Sequence, residues 1–286
     1  MKGIVFGSNG QVGRELARLA PDFKHLTRAD ADLQNPQSCE DVIGKFQPEI
    51  VINAAAYTAV DAAEDNRSVA LVVNADAPAA MARAANRIGA AFIQISTDYV
   101  FDGSGLKPWR ETDPTGPLGV YGSTKLAGEE KVQSVGDQYA ILRTSWVFSQ
   151  HGTNFVKTML RLSESKQAVS IVNDQIGGPT SAASIASASL VIARMLLEDP
   201  AASGIYHYAG APTVSWADFA GEIFRQAGKS VEVTPIPSHL YPTIAKRPLN
   251  SRLDCSKIQR VFGISQPDWR ADLGDVLKGM QGAYET

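Results

Sequence analysis

A glycine-rich segment near the amino terminus, residues 7–13, constrains the fold of this chain more than any other feature. It directly follows an apolar run at residues 2–6 and places glycines at Gly7, Gly10 and Gly13. Residues without a Cβ let a backbone turn sharply and approach a phosphate closely. A helix that begins after such a turn directs unpaired N–H groups and the positive end of its dipole at that phosphate. The segment therefore predicts a strand, a turn and a helix that bind a dinucleotide, although its G-x-x-G-x-x-G spacing leaves a purely structural turn as the alternative.

Short apolar runs alternate with amphipathic segments along the first half of the chain. Strands are predicted near residues 2–6, 49–55, 91–96 and 139–144, and helices near residues 11–19, 77–88 and 123–135. Strands that alternate with helices form parallel sheets through right-handed crossovers. We therefore predict an α/β fold with a Rossmann-like doubly wound parallel sheet, to which residues 204–209 add a further strand.

The second half of the chain has a less regular pattern and predicts a smaller irregular C-terminal lobe. Residues 172–180 include Gly177, Gly178 and Pro179 and are expected to form a loop. Several prolines between Pro212 and Pro248 argue against a second sheet of long strands. We predict a dinucleotide-binding domain at residues 1–149 together with about 181–210, and a substrate lobe at residues 150–180 and 211–286.

Composition excludes several classes of function. The net charge of −3 and the isoelectric point near 5.8 provide no basic surface for nucleic acid or an anionic membrane. The apolar run at residues 2–6 is too short for a signal peptide. The two cysteines, Cys39 and Cys255, match no metal-ligand spacing and favour a reducing cytoplasm. We expect a cytoplasmic enzyme, a monomer or a homodimer.

The residues after the predicted second strand indicate which dinucleotide binds. Arg28 lies where a basic side chain suits the 2′-phosphate of NADP and an acidic one would bind the ribose diol of NAD. This position favours NADPH, with NADH as the other cofactor and a solvated surface arginine as the structural alternative. Asp32 and the neighbouring Leu33 are placed close enough to reach the adenine.

A tyrosine and a lysine four residues apart, Tyr121 and Lys125, are the candidate catalytic pair. This spacing puts both side chains on one face of a helix. A fixed cation lowers the pKa of a phenol from its usual value of about 10 and lets it exchange a proton near neutral pH. Two hydroxyls, those of Ser96 and Thr97, lie at the carboxyl end of a predicted strand, where ligands of open α/β sheets bind. Either can donate to a substrate carbonyl, and capping of the next turn is the structural alternative.

Together these motifs resemble the extended short-chain dehydrogenases, and more narrowly the dTDP-4-dehydrorhamnose reductases. The resemblance covers nearly the whole chain, at residues 7–13, 53–61, 96–103, 121–125, 143–147, 173–175, 178–180 and 247–253. It implies Thr97 as the catalytic hydroxyl, Tyr121 as the proton donor and Lys125 as its partner. It also implies that Thr97, Asp98, Tyr121 and Trp146 meet a dTDP-sugar. The implied contacts to the cofactor are Gly10, Gln11, Val12, Ala56, Tyr57 and Thr58, with Tyr121 and Lys125 at the nicotinamide end.

Some members of this subfamily bind magnesium through carboxylates between two subunits. Glu15 matches one such ligand, but residues 181–184 offer no second carboxylate, so we predict no metal. The resemblance implies NADPH-dependent reduction of the C4 keto group of dTDP-4-dehydro-L-rhamnose to dTDP-L-rhamnose. Two alternatives stay open: an epimerase or dehydratase of another nucleotide sugar, and a non-catalytic NADP-binding subunit like the β subunit of methionine adenosyltransferase.

Overall fold

A six-stranded parallel sheet is the centre of the fold, seen in a computed structural model that describes residues 1–282, with side-chain burial described to residue 280. The strands of the chain are β1 (Gly3–Phe6), β2 (Lys24–Leu26), β3 (Ile50–Asn53), β4 (Ala91–Thr97), β5 (Tyr139–Thr144), β6 (Val147–Phe148), β7 (Ala168–Val172), β8 (Ile176–Gly177), β9 (Thr180–Ser181), β10 (Gly204–His207), β11 (Val214–Ser215), β12 (Glu232–Ile236) and β13 (Asn250–Ser251). The helices are α1 (Gln11–Leu19), α2 (Pro36–Phe46), α3 (Val60–Asp65), α4 (Arg67–Leu71), α5 (Ala77–Arg87), α6 (Val120–Val135), α7 (Phe155–Ser163), α8 (Ala182–Glu198), α9 (Trp216–Gln226), α10 (Ser256–Phe262) and α11 (Trp269–Gly282).

The central sheet has the strand order β10-β5-β4-β3-β1-β2, and every pair in it is parallel. Successive strand side chains alternate between two cores, as in β1, where Ile4 and Phe6 lie in one and Val5 in the other. Helices α1 and α8 cover one face, and α2, α5 and α6 cover the other. The predicted doubly wound α/β sheet is confirmed, including the added strand β10.

The strand order reverses between β1 and β3, so the chain leaves these two neighbours in opposite directions. Open α/β sheets bind ligands at such a switch point, outside the carboxyl ends of their strands. Gly7 follows β1, and Ala54 follows β3 with its N–H donating to the Phe6 carbonyl at 3.1 Å. The fold therefore puts the glycine turn and the segment after β3 at one crevice.

The rest of the chain forms three small sheets around a third core. The sheets are β11-β8-β13, β12-β7 and β6-β9. The third core contains Phe148, Phe219 and Trp269 and joins α7, α9 and α11. Residues 172–180, expected as a loop, contain the two-residue strand β8 and the first residue of β9. The division into domains at residues 149, 181 and 210 stays a prediction.

Two further features of the elements bear on the site. Helix α6 begins at Val120, three residues before the predicted start, because the Glu64 carboxylate accepts the Val120 N–H at 2.9 Å. Helix α9 begins with a capping box, in which Ser215 and Asp218 exchange hydrogen bonds. Within residues 1–282 no helix is both long and apolar enough to cross a membrane.

Candidate functional site

The glycine turn has the close packing that its sequence predicts. Gly7 has a φ of +84°, and a Cβ there would lie 2.7 Å from the Ala55 nitrogen. A Cβ on Gly13 would lie 2.1 Å from the Gly7 carbonyl oxygen, so neither position accepts a larger residue. Gly10 differs because its Cβ would meet only the Gly7 oxygen, at 3.3 Å, and the residue is exposed. Gly10 is also the N-cap of α1 and provides no side-chain cap. The first N–H groups of α1 therefore have an open approach for an anion.

A cavity of about 270 Å³ lies beside this turn. Its wall contains six of the residues predicted to bind the cofactor: Gly7, Arg28, Asp32, Leu33, Ala56 and Tyr57. The Arg28 guanidinium lies 3.3 Å from the Asp32 carboxylate, and its side chain is 71% exposed. An apolar wall with an arginine at its mouth suits an adenosine that carries a 2′-phosphate. With the open helix terminus alongside, these residues fit a nicotinamide dinucleotide.

The other predicted cofactor contacts, among them Val12, Thr58 and Gln11, lie outside that cavity wall. Val12 is a buried residue of α1, and Thr58 is exposed after β3. The Gln11 side-chain oxygen accepts hydrogen bonds from Ser149 Oγ and Asn154 Nδ2, both at 2.8 Å. The side-chain amide of Gln11 thus joins α1 to the loop after β6. Because the side chain is engaged there, the backbone N–H of Gln11 is the group that can bind a phosphate.

The two candidate hydroxyls at the end of β4 lie on opposite sides of the strand and have different partners. Neighbouring residues in a strand direct their side chains to opposite faces. Ser96 Oγ donates to Glu129 Oε1 at 2.5 Å in the buried interior, whereas Thr97 Oγ1 accepts the Tyr99 N–H at 3.2 Å. Thr97 also lies close enough to Tyr121 to lower the pKa of its phenol. The geometry favours Thr97 over Ser96 as the hydroxyl that meets a substrate.

Tyr121 and Lys125 lie on one face of α6, as their spacing predicts. Burial raises the pKa of Tyr121 to about 12, against the expected lowering by a neighbouring cation. The Lys125 side chain is instead directed at the strand, where Nζ donates to the Ile95 carbonyl at 2.7 Å. Lys125 is 3% exposed, and burial lowers its pKa to about 8 while Glu129 opposes that change. The raised pKa keeps the phenol protonated at neutral pH, which is the form that a proton donor needs. It also makes the phenol a weaker acid than one whose pKa lies near the working pH.

Two buried polar atoms at this edge of the sheet lack a hydrogen-bond partner. They are Asp98 Oδ2 and Thr144 Oγ1, and His25 Nδ1 is the third such atom in the described part of the chain. Thr144 is the register partner of Thr97 across β4 and β5. Because native proteins satisfy nearly all of their buried polar atoms, unpaired ones at a strand end indicate a place where a ligand binds.

Trp146 lies just beyond β5, two residues after Thr144, with a φ of +50°. Its indole stacks on that of Trp216 with ring centroids 3.6 Å apart and planes inclined by 10°. A Cβ on Gly177 would lie 2.7 Å from the Trp146 ring, so this glycine lets the ring pack against β8. A left-handed backbone in a residue other than glycine is strained, and such strain is concentrated at functional sites.

Several residues that support the site were missed by the sequence analysis. Glu64 caps α6, and Asp61 accepts the Ala245 N–H and pairs with Arg247 at 2.7 Å. Asn74 lies in a π-helical turn at Val72–Asp76, where its amide bonds the Tyr57 backbone and Thr124. These contacts join segments 17 to 186 residues apart. The periodic pattern of the sequence carries no signal for them.

Glu15, the possible magnesium ligand, makes protein contacts here. Its carboxylate lies 3.0 Å from His151 Nε2 and 2.9 Å from Arg18 Nε. The Ser181 and Ser184 hydroxyls donate to Asp272. Within the described residues, histidine, cysteine and carboxylate side chains form no group of three that could hold a metal ion.

The chain is similar to known proteins over nearly its whole length. Residues 1–281 match the family model described as the RmlD substrate binding domain. The dTDP-4-dehydrorhamnose reductase of Salmonella typhimurium (strain LT2) is 41% identical over 97% of this chain and 97% of its own length. A crystal structure of a dTDP-4-dehydrorhamnose reductase from Clostridium acetobutylicum has a TM-score of 0.92 and 36% identity, and the match covers 98% of this chain and 100% of that one. The Bacillus anthracis enzyme of the same name, in complex with NADP, has a TM-score of 0.90 and 35% identity over 97% and 99%.

Proposed function

Because the chain belongs to the RmlD substrate binding domain family, we propose that it is an NADPH-dependent reductase that converts dTDP-4-dehydro-L-rhamnose to dTDP-L-rhamnose. The observation that carries this proposal is the convergence of Thr97, Tyr121 and Lys125 at the carboxyl end of β4, beside a cradle that fits a dinucleotide. The two unpaired buried oxygens at the same edge support a polar ligand there.

We propose the following roles for the residues. NADPH held in this cradle would supply the hydride for C4 of the sugar, and the carbonyl oxygen would take up a proton. Tyr121 donates that proton from its phenol, and Thr97 donates a hydrogen bond to the same oxygen as negative charge develops on it. Lys125 fixes a positive charge behind the phenol. Asp98 and Trp146 are the further contacts with the dTDP-sugar.

At the cofactor end of the site, backbone groups and side chains bind different parts of the dinucleotide. The N-terminus of α1, opened by Gly10, receives the pyrophosphate. Arg28 binds the 2′-phosphate, and Leu33, Ala56 and Tyr57 surround the adenosine. Both cysteines are buried and unpaired, which supports the proposed cytoplasmic location.

The test uses the purified protein with NADPH and dTDP-4-dehydro-L-rhamnose, followed by loss of the reduced-nicotinamide absorbance. UDP and GDP keto-sugars serve as comparisons for the nucleotide. Turnover with the dTDP-sugar in excess of the others supports the proposal. Binding of NADPH without turnover of any keto-sugar would favour the regulatory subunit, and tightly retained NAD after purification would favour an epimerase or dehydratase.

A further inference from the structure

The Thr97 hydroxyl has a single proton, for which three oxygens compete. Two of them belong to neighbouring side chains, and the third belongs to the proposed substrate. Thr97 Oγ1 donates to Asp98 Oδ1 at 3.2 Å in this structure. The phenol of Tyr121 is a second neighbouring oxygen, close enough for Thr97 to lower its pKa. The proposed function adds the carbonyl oxygen of the substrate as a third acceptor. A hydroxyl donates one hydrogen bond only, so these acceptors compete for it.

The protonation state of Asp98 decides this competition. An ionised carboxylate only accepts, and a charge-assisted hydrogen bond is roughly twice as strong as a neutral one. Ionised Asp98 therefore keeps the Thr97 proton. A neutral carboxylic acid reverses the bond, because its O–H donates to Thr97 Oγ1. With the Tyr99 N–H, that bond fills both acceptor sites of the hydroxyl and leaves its proton free for the substrate.

We infer that Asp98 works as a neutral carboxylic acid that orients the Thr97 hydroxyl toward the substrate oxygen. This inference rests on the proposed function, because it concerns how Thr97 meets the keto group. Asp98 acts through Thr97 and is therefore a positioning residue, in addition to its proposed contact with the sugar.

The surroundings of Asp98 favour the neutral form. The residue is 3% exposed, and its Oδ2 has no hydrogen-bond partner. Among the described residues no lysine, arginine or histidine forms a salt bridge with it, and its polar neighbours Ser251 and Thr97 are uncharged. Burial raises the pKa of Asp98 to about 6, although Ser251 and Thr97 act to lower it. The titratable and charged groups facing this turn from the packed elements are Tyr99 on the turn itself, Tyr121 and Lys125 on α6, Asp61 on α3, and Arg247 before β13.

The inference predicts a specific pH dependence. The neutral form is present below a pKa of about 6 and is lost as the pH rises through it. Above that pH, kcat/KM should fall by about tenfold for each pH unit. A bound sugar displaces water and raises the pKa of the carboxyl further, so the corresponding fall in kcat should occur at a higher pH. Loss of the Lys125 charge near pH 8 gives a separate, second fall.

The experiment compares pH profiles of the wild type with those of Asp98→Asn and Thr97→Val. The asparagine amide donates to Thr97 at every pH, so Asp98→Asn should lose the fall near pH 6 and keep the fall near pH 8. Thr97→Val should lose the fall near pH 6 as well, at a lower plateau. Asp102→Asn is the matched control, because Asp102 is exposed four residues away and should keep the wild-type profile.

A second measurement reads the carboxyl group directly. Titration of the side-chain carboxyl carbon by ¹³C NMR, with the Asp98 signal assigned from its loss in Asp98→Asn, should give a midpoint well above the ordinary value of 3.8. A midpoint at or below that value, or a fall near pH 6 that survives in Asp98→Asn, overturns the inference. If the wild type turns over no keto-sugar, the proposed function fails instead, and the NMR midpoint still decides whether Asp98 is neutral.

Discussion

The indole rings of Trp146 and Trp216 stack with their centroids 3.6 Å apart, and they join the end of β5 to the start of α9. Phe155 packs against Trp216 at 4.6 Å and extends the stack into the third core. The stack covers one face of the Trp146 ring. A sugar therefore has only the part of this half-buried indole that Trp216 and β8 leave uncovered to contact.

This arrangement separates a binding role for Trp146 from a packing role. Trp146→Phe should raise KM for the dTDP-sugar roughly two- to tenfold, the equivalent of about 0.5–1.5 kcal/mol of aromatic contact. The NADPH dissociation constant should stay unchanged. Trp216→Phe is the matched control, because it weakens the same stack but is proposed to touch no substrate. Equal changes of KM in both variants would assign Trp146 to the core.

The proposed role of Tyr121 as the proton donor predicts how loss of its hydroxyl affects turnover. Tyr121→Phe removes the proton donor and should lower kcat by ~10²-fold or more while NADPH binding is kept. Tyr139→Phe, a change at the opposite end of the sheet, should have no such effect. Single-turnover kinetics and fluorescence titration with NADPH distinguish the two steps. Near-normal kcat in Tyr121→Phe would remove the phenol from the mechanism.

Substitutions of Arg28 and of Asp32 are expected to have opposite effects on NADPH binding. Arg28→Ala should raise KM for NADPH by roughly tenfold or more and barely change that for NADH, because a charge-assisted bond contributes about 1.5–3 kcal/mol. Asp32→Asn removes the carboxylate 3.3 Å from Arg28 and should tighten NADPH binding by up to about fivefold, the range of an exposed ion pair. Steady-state kinetics with both cofactors give the ratio of KM for NADPH to KM for NADH in each variant. Equal losses with NADPH and NADH would make Arg28 structural.

Breaking the buried Glu129–Arg143 ion pair is expected to lower the free energy of unfolding strongly. The Arg143 guanidinium donates to both carboxylate oxygens of Glu129, and the two side chains are 3% and 1% exposed. Glu129→Gln leaves a buried positive charge without its partner and should lower the free energy of unfolding by about 3–5 kcal/mol. Glu130→Gln, at the exposed neighbouring position, should change it by less than about 0.5 kcal/mol. Urea denaturation measures both, and similar values for the two variants would contradict the prediction.

Local sequence determined the fold class and the cofactor cradle. Gly13 is required by a backbone contact with Gly7 in the same short segment, and the apolar runs of β1, β3, β4 and β5 fill both faces of one sheet. The pattern of Tyr121 and Lys125 likewise depends only on the period of a helix. Short-range geometry of this kind is encoded in neighbouring residues and can be predicted from them.

Tertiary structure alone decided how the site works. It set Thr97 toward the cleft and Ser96 toward Glu129, started α6 at Val120 through the distant Glu64, and buried Asp98 beside the uncharged side chains of Thr97 and Ser251. Each of these outcomes depends on contacts between segments that lie far apart in the chain. Such contacts fix which way a side chain faces, how much water reaches it and which charges surround it. These quantities control protonation and hydrogen bonding, and the local pattern of residues does not contain them.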